Sequence, residues 1–131
     1  MLGAVVRRRP GLTTLPVRLL GPLADRQVLA QAGTARLLSD GFREGVRQGA
    51  AGHARELILL GRPWGFDLAS IDVPVVIWHG SVDGVVPLAF ARHLAERIPG
   101  AELRVVPGEG HFSLPIRHMR AILSSFAASS R

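Results

Sequence analysis

The spacing of apolar residues changes near the middle of the chain. In the first part, apolar and small residues recur three or four positions apart, which predicts amphipathic helix. The clearest repeat consists of Phe42, Val46, Gly49, His53, Leu57 and Leu60. Ser39 or Asp40 is a candidate N-cap for this helix, because both side chains can accept a hydrogen bond from the first turn. Residues 19–38 also predict helix, interrupted by turns.

A cluster of glycine, proline and aspartate at residues 61–74, "GRPWGFDLASIDVP", separates the helical part from the second half of the chain. The next segment, "VPVVIWHG", is a short apolar run rich in β-branched residues, which predicts a strand covered on both faces. "PLAFARHLAERIPG" predicts a helix with Pro87 at its first position. "AELRVVPGEG" predicts a second strand, and residues 114–127 predict a final helix.

Strand, helix and strand in this order predict a βαβ unit, an α/β arrangement in which the two strands are parallel. The loops after parallel strands emerge at the same edge of the sheet, where ligands of open α/β sheets bind. Asp83 lies in the first of these loops and His111 in the second. A carboxylate bonded to one ring nitrogen of a histidine fixes the tautomer that lets the other nitrogen accept a proton. The topology therefore predicts an acid and base pair.

These two loops also carry a resemblance to a known family. "HGSVDGVVP" with Asp83, "PGEGHFSL" with His111 and the 28-residue interval between them resemble the acid and histidine loops of the α/β-hydrolases. The resemblance covers residues 61–128. It implies a helical segment similar to a cap over residues 1–62, and the C-terminal part of the hydrolase core over residues 63–131. It also implies that His111 is the catalytic base, that Asp83 orients it, and that the substrate is a small acyl compound.

The family's nucleophile lies in a G-x-S-x-G turn between a strand and a helix, and this chain contains no such motif. Ser39 in "LLSDG" comes nearest, but a leucine replaces the first glycine and the preceding pattern is helical. The remaining candidate nucleophiles fit no better: Ser70, Ser81, Ser113, Asp25 and Asp40. The resemblance therefore implies the C-terminal half of a Ser-Asp-His hydrolase, with an incomplete triad, no oxyanion-hole loop and no activity by itself. Esterase, lipase, peptidase, perhydrolase and acyltransferase chemistry all stay open.

A second hypothesis is non-catalytic. The apolar strand "VPVVIWHG" has one clear neighbour in this chain, so its other edge would leave backbone groups unpaired. A pseudoenzyme or partner domain could dock through that edge, either to an N-terminal complementing half or to another copy of the chain.

Composition excludes several other classes of protein. The chain has no cysteine, which excludes disulfides and thiolate chemistry. Its net charge is +6, but the sixteen basic residues are all arginine and are spread along the sequence, which disfavours a nucleic-acid surface. We expect no cofactor and no metal, since no histidine pair has ligand spacing. We expect that residues 1–20 are not a secretory signal, because prolines and an arginine interrupt the apolar stretch, and no apolar run is long enough to span a membrane, so a cytoplasmic protein is expected.

The other histidines and the aromatic residues are weaker candidates for the site. His79, at the end of the apolar strand, is predicted to be structural. His93 is expected in solvent and His53 against the apolar side of its helix, while His118 has no identifiable partner. Three aromatic residues could line a pocket or belong to the core: Trp64, Phe66 and Phe112.

Overall fold

The protein is mostly helical and contains one small parallel sheet. This computed structural model describes residues 15–49 and 51–129; the expected absence of a signal sequence falls mainly on residues 1–14, outside that range. The helices before the sheet are α1 (Leu15–Leu20), α2 (Leu23–Ala30), α3 (Ala32–Gly45), α4 (Ala51–Leu60) and a short 3₁₀ helix (Leu68–Ser70). After them come β1 (Val76–Gly80), α5 (Leu88–Arg97), β2 (Glu102–Val106) and α6 (Ser113–Ser129).

The βαβ unit has the parallel arrangement that the pattern predicts. β1 pairs with β2 in parallel, with Val76 opposite Glu102 and Gly80 opposite Val106. Val75 O accepts a hydrogen bond from Glu102 N at 2.9 Å, and Ser81 N donates one to Val106 O at 3.0 Å. These two bonds extend the pairing to both ends of β1, and the loops after β1 and β2 therefore leave the sheet at the same edge.

The crossover helix α5 packs against both strands. Its residues Ala91 and, just beyond its end, Ile98 are buried, as expected for the apolar stripe of an amphipathic helix. Pro87 precedes the helix with extended backbone (φ −61°, ψ 137°), so it is the N-cap residue and not the first helical residue as predicted. Gly100 then has a positive φ of 70°, a conformation that glycine adopts without strain, and turns the chain into β2.

The helical prediction for residues 39–60 needs correction. Ser39 and Asp40 lie inside α3 and do not cap a helix. The continuous repeat is interrupted by a turn after Gly45, and Gly49 has a φ of 104°. The physical reason is the glycine content of "GFREGVRQG", since each glycine inside a helix costs about 1 kcal/mol relative to alanine. α4 is then a separate helix whose residues are all exposed.

Helix α2 connects the N-terminal helices to the C-terminal part of the chain. Ala24, Val28 and Leu29 of α2 are buried, and α2 packs against α6, where Leu114 is buried as well. Asp25 lies on the same buried face with no exposed surface. The division into a cap-like segment and a core stays a prediction, and α2 is the element that joins the two.

Within residues 15–49 and 51–129, no helix has both the length and the apolar character that a bilayer crossing requires. The cytoplasmic location stays a prediction.

Candidate active site

Asp83 lies in the turn after β1, and backbone groups and a histidine together hold its carboxylate. Oδ1 accepts hydrogen bonds from the N–H groups of Val85 and Val86 at 2.8 and 2.9 Å. Oδ2 lies 2.9 Å from Nδ1 of His111. The "SVDGVV" turn provides the backbone donors, because an aspartate readily bonds the N–H groups two and three residues further on. The carboxylate therefore has a single orientation.

The environment of Asp83 favours its ionised form. The side chain is 7% exposed. Burial by itself would raise the pKa of Asp83, but hydrogen bonds from Val86 N–H, the His111 ring and Val85 N–H outweigh it and lower the pKa below its usual range. Asp83 is consequently a carboxylate at neutral pH, and it can only accept hydrogen bonds.

His111 lies in the loop between β2 and α6. Since Asp83 is an acceptor, Nδ1 of His111 carries the proton of their shared hydrogen bond, and the neutral ring has its lone pair on Nε2. The His111 side chain is 38% exposed, while that of its partner is nearly covered. No residue in the described part of the chain hydrogen-bonds Nε2. The ring also contacts Phe112 edge to face, with centroids 5.1 Å apart.

Asp25 is the residue of this site that the sequence did not reveal. Its Oδ2 accepts a hydrogen bond from the backbone N–H of His111 at 3.0 Å. Its Oδ1 accepts from the N–H groups of Phe112 and Ser113 at 3.0 and 2.8 Å. In the sequence, Asp25 is a candidate only for the nucleophile, and a poor one. No local pattern identifies its actual role, because 86 residues separate it from His111.

A second buried carboxylate, Glu109, fixes the other side of the histidine loop. It interacts with Arg117 and His118 of α6 at 3.3 and 3.4 Å, so His118 does have a partner, contrary to the prediction. Burial would raise the pKa of Glu109, but hydrogen bonds from Ser113, Arg117 and His118 lower it overall. Arg117 also donates to Gln27 of α2 at 2.8 Å, which is a second connection between α2 and α6.

The acid loop and the histidine loop contact each other directly. Ser81 Oγ accepts a hydrogen bond from Gly108 N at 2.9 Å, and Val82 N donates to Glu109 O at 3.1 Å. Gly80 has no room for a side chain, because a Cβ there would overlap the backbone carbonyl of Glu109. The two loops thus behave as one packed unit under the pair formed by Asp83 and His111.

His79 lies close to Asp83 and is buried. Its Nδ1 is 2.9 Å from Gly80 O, and its Nε2 is 3.9 Å from Asp83 Oδ2. Trp78 Nε1 and His79 Nε2 are buried without a hydrogen-bond partner within the described ranges. His79 thus lies near the end of β1 and is buried, in agreement with the prediction that it is a structural histidine.

The remaining predicted residues lie elsewhere. His93 is exposed on α5. His53 is exposed on α4, and the centroid of its ring lies 5.9 Å from that of the Phe42 ring. Trp64 and Phe66 are exposed, and their ring centroids lie 5.9 Å apart, so neither belongs to the core.

None of the candidate serine nucleophiles lies in a turn between a strand and a helix with a free hydroxyl. Ser39 lies inside α3 and Ser70 in the 3₁₀ helix, while the hydroxyl oxygens of Ser81 and Ser113 accept hydrogen bonds from backbone N–H groups. Residues 15–49 and 51–129 contain no group of three potential metal-binding side chains.

A shallow apolar pocket of about 240 Å³ adjoins the acid loop. It lies between the start of the helical part and the turn that holds Asp83. Its lining comprises Pro16, Val17, Leu20, Gly21, Pro22, Asp25, Gly84 and Val85.

Comparison with known proteins gives partial matches to α/β-hydrolase family members. The chain is 36% identical over 67 residues to rhodomycin D methylesterase DauP of a Streptomyces species, a match that covers 51% of this chain and 22% of the relative. It is 46% identical over 46 residues to a non-heme chloroperoxidase of Kitasatospora aureofaciens, covering 34% of this chain and 17% of that relative. The chain thus spans about a fifth of the length of these curated relatives. No family model matches the chain. No solved structure matches it either.

Proposed function

We propose that this chain supplies the acid and the histidine of an α/β-hydrolase that cleaves esters or related acyl compounds. The observation that carries the proposal is the 2.9 Å contact between Asp83 Oδ2 and His111 Nδ1, with a buried carboxylate and a partly exposed ring. This asymmetry suits catalysis, because the acid should be shielded from water while the base reaches the substrate. The methylesterase and chloroperoxidase matches support a hydrolase-type protein.

In the proposed reaction, Nε2 of His111 takes the proton of a serine hydroxyl as the serine oxygen bonds to the acyl carbon. Asp83 stabilises the imidazolium that forms. His111 then gives this proton to the leaving alkoxide, and the ester bond breaks. Water attacks the acyl-serine in the second half, with His111 again as base, and the serine is regenerated. The serine belongs to a segment other than this one, since the sequence has no G-x-S-x-G motif.

The pocket beside Asp83 suits a small apolar part of the substrate. Its lining is mostly aliphatic, and about 240 Å³ is enough for a short acyl or alcohol group. Gly84 and Val85 belong both to this pocket and to the acid loop, whereas His111 does not line it. A group bound there would therefore lie beside the acid loop, and the acyl carbon would have to extend from it toward His111.

A chimaera provides the most direct test. The part of the methylesterase relative that matches this chain is replaced by residues 15–129 of this chain, which include Asp25, Asp83 and His111, and hydrolysis of a p-nitrophenyl ester is measured. We expect turnover that falls by at least about 1,000-fold in His111→Ala and substantially in Asp83→Asn, because each change removes a member of the triad.

His93→Ala is the matched control, since His93 is an exposed histidine of α5, outside the site; its turnover should equal that of the unmutated chimaera. A folded, active chimaera whose rate is insensitive to His111→Ala would overturn the proposal. So would ester turnover by the 131-residue chain alone that disappears in His111→Ala, because a nucleophile would then lie within this sequence.

A second candidate function is docking without catalysis. Across the described ranges, β1 pairs with β2 and with no other strand, so its second edge can accept an added strand. Under this hypothesis the partner is the strand-bearing N-terminal half of a hydrolase or a second copy of this chain. A chain that stays monomeric at high concentration and does not bind an expressed N-terminal half of the methylesterase relative would contradict it.

A further inference from the structure

Asp25 makes an unusual set of contacts for a residue outside the predicted triad. Its side chain is completely buried, and its two oxygens accept three hydrogen bonds from the backbone of the histidine loop. The donors are the N–H groups of His111, Phe112 and Ser113, at distances of 2.8 to 3.0 Å. A carboxylate that accepts bonds at both oxygens from consecutive residues fixes the course of the backbone between them.

These N–H groups would otherwise lack partners. Helix α6 begins at Ser113, and the first N–H groups of a helix have no acceptor within the helix. A local serine often fills this role, but Ser113 Oγ instead accepts from Gly110 N at 2.8 Å. Asp25 therefore caps α6 from another helix, and its negative charge is favourable at the positive end of the helix dipole.

Two carboxylates consequently hold His111 at separate points. Asp83 bonds Nδ1 of the ring, and Asp25 bonds the backbone N–H of the same residue. Gly110 makes this approach feasible, because a Cβ at that position would overlap the Asp25 carboxylate. The orientation of the ring thus depends on the backbone that Asp25 fixes, in addition to the bond with Asp83.

We propose that Asp25 is a positioning residue of this site, which acts through the His111 backbone to keep Nδ1 in reach of Asp83. Its catalytic meaning rests on the proposed function, but the positioning itself can be tested on the chain as it is. It also assigns a role to α2: this helix supplies part of the site architecture in addition to covering α6.

The decisive variant is Asp25→Asn, which keeps the size of the side chain but leaves one accepting oxygen. That oxygen can take the place of Oδ1 and keep the bonds from Phe112 and Ser113, while the amide NH₂ then faces the His111 N–H, donor against donor. We expect hydrogen exchange at the His111 amide to become at least about tenfold faster, with a smaller change at the other two amides. We also expect the ¹⁵N signals of the His111 ring to move from the Nδ1–H tautomer toward a mixture.

Asp67→Asn is the matched control, because Asp67 also accepts a backbone N–H through its carboxylate, from Ala69 at 3.0 Å, but at an exposed position. It should leave exchange at residues 111–113 and the ring tautomer unchanged. Exchange at the Ser81 amide, which bonds β2, reports on the integrity of the sheet in both variants.

Unchanged His111 ring signals in a folded Asp25→Asn variant would overturn the proposal. If that variant does not fold, hydrogen exchange in the unmutated chain tests the proposal instead. The amides of His111, Phe112 and Ser113 should then exchange much more slowly than in an unfolded peptide. Amides that exchange at unfolded rates would contradict the inference. Gly110→Ala, which displaces the carboxylate without changing its charge, should reproduce the shift in tautomer. An inactive chimaera with intact protection would count against the proposed function and leave the positioning role in place.

Discussion

Ser81 of the acid loop accepts a hydrogen bond from the backbone N–H of Gly108 in the histidine loop at 2.9 Å, across 27 residues of sequence. Gly108 has a positive φ of 75°, a conformation that glycine adopts without strain. The bond therefore ties the two loops that carry Asp83 and His111 to each other.

Ser81→Ala should loosen this connection. We expect a loss of about 1 kcal/mol in the free energy of unfolding, since one hydrogen bond is removed and Gly108 N–H is left without its acceptor. Denaturant unfolding measures the loss, and hydrogen exchange at Gly108 should accelerate. Ser70→Ala is the control, because Ser70 Oγ bonds the carbonyl of Asp67 at an exposed site. A loss of stability that is no greater for Ser81→Ala than for Ser70→Ala would contradict this role.

Gly80→Ala should be far more damaging than an alanine at a glycine with open space around it, such as Gly41. A Cβ at Gly80 would overlap the backbone carbonyl of Glu109, and rigid backbone cannot move aside easily. We expect destabilisation of about 1–3 kcal/mol or more, measured by thermal or denaturant unfolding. By contrast, Gly41→Ala in α3 meets no atom within 4 Å and should stabilise the helix by roughly 0.5–1 kcal/mol. Equal effects of the two substitutions would be inconsistent with the packing of the two loops.

The stability of the fold should decrease at acid pH. The pKa values of Asp83 and Glu109 are lower in the folded chain than their usual values. Such groups add stability that is complete above the unfolded pKa values, near 4, and is lost as the pH falls through the folded values. Denaturant unfolding between about pH 3 and pH 6 should show stability rising with pH.

The variants Asp83→Asn and Glu109→Gln should each flatten this dependence on pH. Glu102→Gln is the control: Arg104 lowers the pKa of Glu102 through a hydrogen bond, but this pair lies on the surface, and exposed ion pairs contribute little. A pH profile that keeps its full slope in the double variant of Asp83 and Glu109 would refute the assignment of these two carboxylates.

Blocking the second edge of β1 should weaken association of the chain without disturbing its fold. Val75 O and Ser81 N both bond β2, so the alternation of a parallel ladder directs the N–H of Val76 away from β2. Val76→Pro removes that outward donor at the first residue of the strand, where proline is tolerated. Sedimentation velocity should show weaker association than in Val76→Ala, which keeps the N–H, while exchange at Ser81 is the same in both. Equal association would rule out this edge as the docking surface.

The βαβ unit could be predicted from the sequence because its signals are local. "VPVVIWHG" is apolar and β-branched, α5 has an apolar stripe, and the two strands must be parallel if a helix joins them. The proximity of Asp83 and His111 follows from that topology, since both loops emerge at one edge. The helix over residues 39–60 is predicted less well, because the repeat of apolar residues continues across glycines that interrupt the helix at 46–49.

The sequence alone thus determined the parallel strand pair, the crossover helix and the acid and histidine at their common edge, because each depends on the period and order of nearby residues. Only the tertiary structure decided that Asp25 bonds the histidine loop, that Glu109 pairs with Arg117 and His118, and that Gly80 lies against a carbonyl. In the case of Asp25 the partners are backbone N–H groups, which every residue except proline carries. No side-chain pattern identifies them, and the packing of α2 against α6 selects them.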